Sequence, residues 1–91
     1  MLEKAKAALR ITTDAYDAEI EDLIDAAKLD LGIAGVVLPS DHDVLCQRAI
    51  LTYVRANFGS PDDYDRLKAS YDEQKAQLKT ATGYTDWGED A

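Results

Sequence analysis

Residues 44–58 read VLCQRAILTYVRANF, and this stretch decides the fold. Its apolar side chains are Val44, Leu45, Cys46, Ala49, Ile50, Leu51, Tyr53, Val54, Ala56 and Phe58. On a helix the polar positions Arg48, Thr52 and Arg55, spaced i, i+4, i+7, fall on one narrow line. A helix with so thin a polar stripe is apolar around most of its circumference and needs cover on more than one side. No other segment is as apolar, so this is the expected central helix. Ser40 or Asp41 can cap its start, Asp43 sits in the first turn, and Gly59 can end it in the left-handed conformation.

Upstream, Ile20, Leu23, Ile24, Ala27 and Leu31 repeat at i, i+3, i+4, i+7, i+11, the core face of a second helix ending near Leu31. Tyr16 extends that face, and Thr13, Asp14 or Asp17 can cap it. Asp17, Glu21 and Asp25 stack at i, i+4, i+8 with no Lys between them, a spacing at which like charges repel. The helix dipole relieves Asp17 in part. Leu29 lies half a turn from Ile20 and points off the back, marking a possible subunit contact. Gly32-Ile33-Ala34-Gly35 reads as the stop. The run Val36-Val37-Leu38 that follows needs cover, either folding over the core or lying against another chain. At the start of the chain, Leu2 to Arg10 reads as a short helix with Leu2, Ala5, Ala8 and Leu9 on one face. At under three turns it must dock on the body or on a neighbour. Ile11-Thr12-Thr13 breaks the pattern.

Downstream, Ser60-Pro61-Asp62-Asp63 has the chemistry of a helix start: a Ser cap, Pro at the first position and an acid at the third. The helix that follows carries Tyr64, Leu67, Tyr71 and Leu78 in a narrow stripe with Gln74 in the gap. Asp62 with Arg66 and Asp72 with Lys75 are the expected supporting pairs. Residues 80–91 have no helical or strand period, yet hold Tyr84 and Trp87 among Gly, Thr and acids. Such a tail looks like a segment that orders on a partner. The expected fold is all-α, a small three- to four-helix bundle over residues 1–80 with an irregular, extended C-terminal tail over 81–91.

At 91 residues the chain supports one small core, burying about 60–65% of its extended surface. One cysteine makes no internal disulfide, and inside the apolar helix Cys46 reads as a buried, inert thiol. The apolar runs are far short of the ~20 residues that span a bilayer, and there is no signal-peptide pattern. A soluble protein made in the cytoplasm, without membrane contact, is expected. The net charge of −8 argues against holding nucleic acid by neutralising phosphates. No catalytic constellation is legible. His42 stands between Asp41 and Asp43, ligating types that point in different directions at a helix start, and no second cluster completes a metal site. No Ser or Cys nucleophile pairs with it, no Gly-rich phosphate loop appears, and the carboxylates lack apolar neighbours that would raise a pKa. No cofactor, metal or catalytic residue is expected. On physics alone this is an acidic helical domain that works through protein contacts.

The pattern Leu2…Leu9-Arg10-Ile11…Asp17-x-x-Ile20-x-x-Leu23-Ile24-x-x-Ala27 resembles the small head–tail connector proteins of tailed bacteriophages and prophages, often labelled DNA-packaging proteins. The apolar middle helix with Tyr53 and Asn57, and Gln77-Leu78-Lys79 near the end, are also similar, so the resemblance spans about residues 2–80. The family's usual form of the last motif has Arg where this chain has Lys79, a point charge in place of a planar fork. The resemblance implies a structural adaptor, not an enzyme. Copies would form a ring beneath the portal of the capsid, extend the channel through which DNA passes, and dock the next connector or the tail. Assembly would take place in the host cytoplasm, with the product at the head–tail junction of the virion. The candidate ring and partner contacts are then the first helix, Leu29, Val36, Val37, Leu38, Tyr84 and Trp87. Glu21, Asp22 and Asp25 are candidates for an acidic lumen that repels DNA without binding it. A rival reading is a free-standing acidic binding module, such as an inhibitor that mimics DNA charge, for which those three acids are the only suitable group. A metal-dependent enzyme around His42 ranks last.

Overall fold

The computed structural model describes residues 1–35, 44–59 and 61–80, which hold four helices and no strand. They are α1 (Leu2–Leu9), α2 (Asp17–Ile33), α3 (Val44–Asn57) and α4 (Tyr64–Thr80). The Val36–Leu38 run, the caps at Ser40 and Asp41, His42, Asp43, Ser60, and the tail with Tyr84 and Trp87 lie outside the described residues.

Helix α3 packs against all three others, as its apolar circumference requires. Cys46, Ala49, Ile50, Val54 and Ala56 are buried, while Arg48 and Arg55 look outward. Thr52, on the same line, donates its hydroxyl to the Arg48 carbonyl at 2.9 Å. Gly59 ends the helix region at φ +67, the left-handed backbone that glycine adopts without penalty. Phe58 falls just beyond the helix and meets Tyr16 edge-on at 5.6 Å, tying the end of α3 to the start of α2. The first turn departs from the expected all-round burial. Val44 and Leu45 are 67% and 47% exposed, because burial begins only at Cys46.

Helix α2 buries Ile20, Ile24, Ala27 and Leu31, with Leu23 half-buried. It lacks the side-chain cap expected of Thr13, Asp14 or Asp17. The Thr13 hydroxyl oxygen instead accepts the Ala15 N–H at 3.2 Å, and the Asp14 carbonyl accepts the Asp17 N–H, so a turn leads into the helix. Asp17 is relieved by a cation as well as by its helix end. The Lys6 ammonium sits 2.9 Å from Asp17 and 3.0 Å from Asp14, and these carboxylates push the lysine's pKa up. The helix also outruns its expected stop, passing through Gly32 to Ile33. One glycine in a last turn costs only about 1 kcal/mol, and Gly35, at φ +98, is the residue with left-handed backbone.

Helix α1 docks on α2 and α3 through the fully buried Ala5, and Lys4 donates to Gln47 of α3 at 2.9 Å. It closes with Arg10 in the left-handed region, where the Ile11 N–H reaches the Lys6 carbonyl at 2.9 Å. Helix α4 begins three residues after the position its Pro suggests. Residues 61–63 form a turn in which the Pro61 carbonyl accepts the Tyr64 N–H. Leu67, Tyr71 and Leu78 are buried against α3, and the Gln74 side-chain oxygen is buried with no hydrogen-bond partner among the described residues. The expected pairs are replaced. Arg66 meets Asp63 rather than Asp62, Lys68 meets Asp72 at 3.2 Å, and Lys75 crosses to Asp30 of α2 at 3.1 Å. Asp62 lies in the turn rather than on the helix, and Asp30 takes the lysine that local spacing assigned to Asp72. No helix among the described residues is long and apolar enough to cross a membrane.

Candidate docking surfaces

Helix α2 turns its core residues toward α3 and leaves a second, opposite face to solvent. Glu21, Asp22, Asp25, Leu29 and Ile33 fall within an arc of about 120° on that face. All five are exposed. Leu29 is 69% exposed and Ile33 85%, and Gly32 beside them leaves a shallow apolar hollow bounded by Lys28. None of the three acids forms an ion pair with a described residue. Single exposed hydrophobics are ordinary. Two on adjacent turns of one face, continuous with unpaired carboxylates, make a surface suited to another protein.

The outward line of α3 forms the floor of a groove between α1 and α4. Ala8 stands on one side and Gln74 on the other, with Arg48, Leu51, Thr52 and Arg55 between them. The groove continues past Arg48 to Leu45 and Gln77. Arg48 and Arg55 are exposed and have no carboxylate partner among the described residues. The exposed Val44 and Leu45 complete this surface at its N-terminal end.

A third cluster joins α2 to α4. The Tyr71 hydroxyl donates to an Asp30 carboxylate oxygen at 2.6 Å, and Lys75 donates to the same oxygen at 3.1 Å. Lys75 also lies 5.2 Å from the Tyr71 ring centre, and Tyr53 meets that ring edge-on at 5.2 Å. Burial pushes the Asp30 carboxyl up, but the hydrogen bonds from Tyr71 and Lys75 and the lysine charges outweigh it. The net pKa lies below the ordinary carboxylate value. Burial first, and the bond to Asp30 second, drive the Tyr71 hydroxyl far upward, so it stays a protonated donor. A carboxylate held ionised and a phenol held neutral suit a latch between helices and not proton transfer near neutral pH.

Of the candidate contact and lumen residues, Leu29, Glu21, Asp22 and Asp25 are described and lie on one face of α2. The first helix, also a candidate, docks on its own α2 and α3. Ile33 joins that face of α2 although Gly32-Ile33-Ala34-Gly35 reads as the helix stop. Its i+4 spacing from Leu29 was the available signal. The exposure of Val44 and Leu45 had no signal in the pattern, which marks both as core. Asp30, Tyr71 and Lys75 meet across more than 40 residues of chain, beyond the reach of any local spacing rule. A family model described as phage connector protein matches residues 1–85. No curated protein and no solved structure matches the chain.

Proposed function

The chain belongs to the phage connector protein family, and from that premise we propose that it is the head–tail connector of a tailed phage or prophage. It is a structural part of the phage particle that meets other head or tail proteins. In the proposed role, copies form a ring below the portal, prolong the DNA channel and present a face to the next connector or the tail. The observation that carries this reading is the family match over residues 1–85. The outer face of α2 supports it, since Leu29 and Ile33 stand exposed where a partner would cover them. A free-standing DNA mimic needs carboxylates spaced over a broad face, and this face carries three beside two exposed hydrophobics. The acidic balance of −8 suits a channel through which DNA passes without adhering. Glu21, Asp22 and Asp25 can serve that wall. Their continuity with Leu29 and Ile33 favours a subunit seam instead, because a water-filled lumen gains nothing from exposed hydrophobics.

Electron microscopy of the full chain, alone and mixed with its cognate portal, tests the proposal. Rings coaxial with the portal are expected, and a chain that stays monomeric with the portal present would refute it. Fluorescence anisotropy with duplex DNA at physiological salt should show no binding, and a salt-sensitive micromolar complex would overturn the channel picture. Truncation after Thr80 tests the tail. Loss of ring or portal attachment with unchanged folding is the expected result if Tyr84 and Trp87 dock on a neighbour. Easier unfolding with normal assembly would place them on their own domain.

A further inference from the structure

Resting on the ring reading, we infer a head-to-tail seam between copies. The outer face of α2 on one copy seats antiparallel on the outward stripe of α3 on the next, setting Glu21 and Asp25 against Arg48 and Arg55, and Leu29 and Ile33 against Val44 and Leu45.

Charge favours pairing the two different faces. Two α2 faces stacked in register would oppose carboxylates, and two α3 stripes would oppose guanidinium groups. A symmetric antiparallel contact through the hydrophobic ends would leave both sets of charges without a partner. Neither set is neutralised within its own fold among the described residues. Opposite charges on two different faces call for a heterologous contact, the kind that closes into rings. The faces are also placed for it. Helices α2 and α3 pack core to core, so their solvent sides look away from each other. Each copy can thus give one face and receive the other.

The order of residues along the two helices fixes the polarity. From N to C terminus α2 runs from acids to hydrophobics, whereas α3 runs from hydrophobics to arginines. Antiparallel docking aligns both pairs at once, and parallel docking aligns neither. At the helical rise of about 1.5 Å per residue, the centre of Glu21 and Asp25 lies about 12 Å from that of Leu29 and Ile33. The centre of Arg48 and Arg55 lies about 10 Å from that of Val44 and Leu45. Side-chain reach covers the difference. The apolar end supplies area removed from water, and the arginine–carboxylate end supplies register and partner choice.

The test is charge reversal followed by mixing, read by sedimentation velocity over a concentration series. One variant carries Glu21→Lys with Asp25→Lys, the other Arg48→Glu with Arg55→Glu. Each alone should associate roughly a hundredfold more weakly than the wild type. A one-to-one mixture should recover assembly, because each variant then offers a face complementary to the other in both directions. All four positions are exposed, so circular dichroism should be unchanged. Leu29→Ser with Ile33→Ser should weaken association without reversing any charge. Reversed variants that assemble as the wild type does would overturn the seam while leaving the ring standing. So would a mixture that fails to recover, or association abolished by truncation after Thr80 but not by the reversals. A wild-type chain that stays monomeric even with its portal would overturn the ring reading and the seam together.

Discussion

Helices α3 and α4 lie against each other and are built on opposite plans. Helix α3 buries five residues over an arc of about 160° and packs against all three other helices. Helix α4 is longer, at 17 residues against 14, yet among its described side chains the buried ones are Leu67, Tyr71 and Leu78, in one narrow seam. Its remaining attachment is polar, through Tyr71 and Lys75 to Asp30. Packing makes one helix the centre of the domain. The other is held by a narrow apolar line and a latch, and its stability should respond to solution conditions that leave α3 indifferent.

The largest expected effect tests the centre. Ile50 is fully buried, so Ile50→Ala should cost about 2–5 kcal/mol in urea unfolding, through lost transfer energy and the cavity left behind. Leu78→Ala removes a similar volume, but it lies near the end of α4, where the site can collapse more easily. It should fall at the low end of that range or below it. Equal costs at the two positions would mean that α4 is as embedded as α3, and the contrast would fail.

A smaller effect tests the latch. Tyr71→Phe keeps the ring against Tyr53 but removes the donor to Asp30, and should cost about 1 kcal/mol at neutral pH. The cost should depend on pH in a defined direction. The folded-state pKa of Asp30 is depressed, so its contribution is present above the ordinary carboxylate value of about 4 and disappears as pH falls through the lower folded value. The Tyr71 pKa is raised, so its contribution is present below about 10 and wanes as pH rises above that value, where the unfolded chain ionises first. Stability of wild type and Tyr71→Phe should therefore differ at pH 7, and the difference should shrink as pH falls below the ordinary carboxylate value and Asp30 takes up its proton. A difference constant with pH would show that the Tyr71 hydroxyl does not act through the Asp30 charge.

The same contrast explains what could be read in advance. The core faces of α2 and α3 were legible because burial imposes a periodicity that local sequence must carry, as at Ile20, Ile24, Ala27 and Leu31. Gly59 was legible because left-handed backbone restricts residue choice. The latch was not, since nothing near Asp30 in the chain signals that Tyr71 and Lys75 will arrive from α4. Lys6 reaching Asp14 and Asp17 across the first turn is the same case. Ion pairs have several local partners of equal spacing, and tertiary placement chooses among them. The docking faces were half legible. Leu29 stood out as an apolar residue on the wrong side of a helix, but Ile33 was hidden by the two glycines read as a stop. Val44 and Leu45 were hidden by an apolar run that continued past the limit of burial.

The smallest expected effect separates polar contacts that hold α4 from those that decorate it. Lys68 and Asp72 pair within α4 at 3.2 Å, at the rim of the latch, with both side chains about half exposed. Lys75 and Asp30 pair at nearly the same distance, but between helices and with less exposure. An exposed pair gains little in high dielectric and loses side-chain entropy in forming. The order Lys before Asp at i, i+4 is also the weaker one against the helix dipole. Lys68→Ala should thus leave the urea midpoint within experimental error at physiological salt, whereas Lys75→Ala should lower it measurably. Raising the salt to about 1 M, where the Debye length is about 3 Å, should leave the Lys68→Ala result unchanged and shrink the Lys75→Ala loss only in part. The part that salt does not remove is the close contact of the Lys75 ammonium with the Tyr71 ring, 5.2 Å from its centre. Equal losses at the two lysines would place the attachment of α4 in diffuse surface charge and not in the latch.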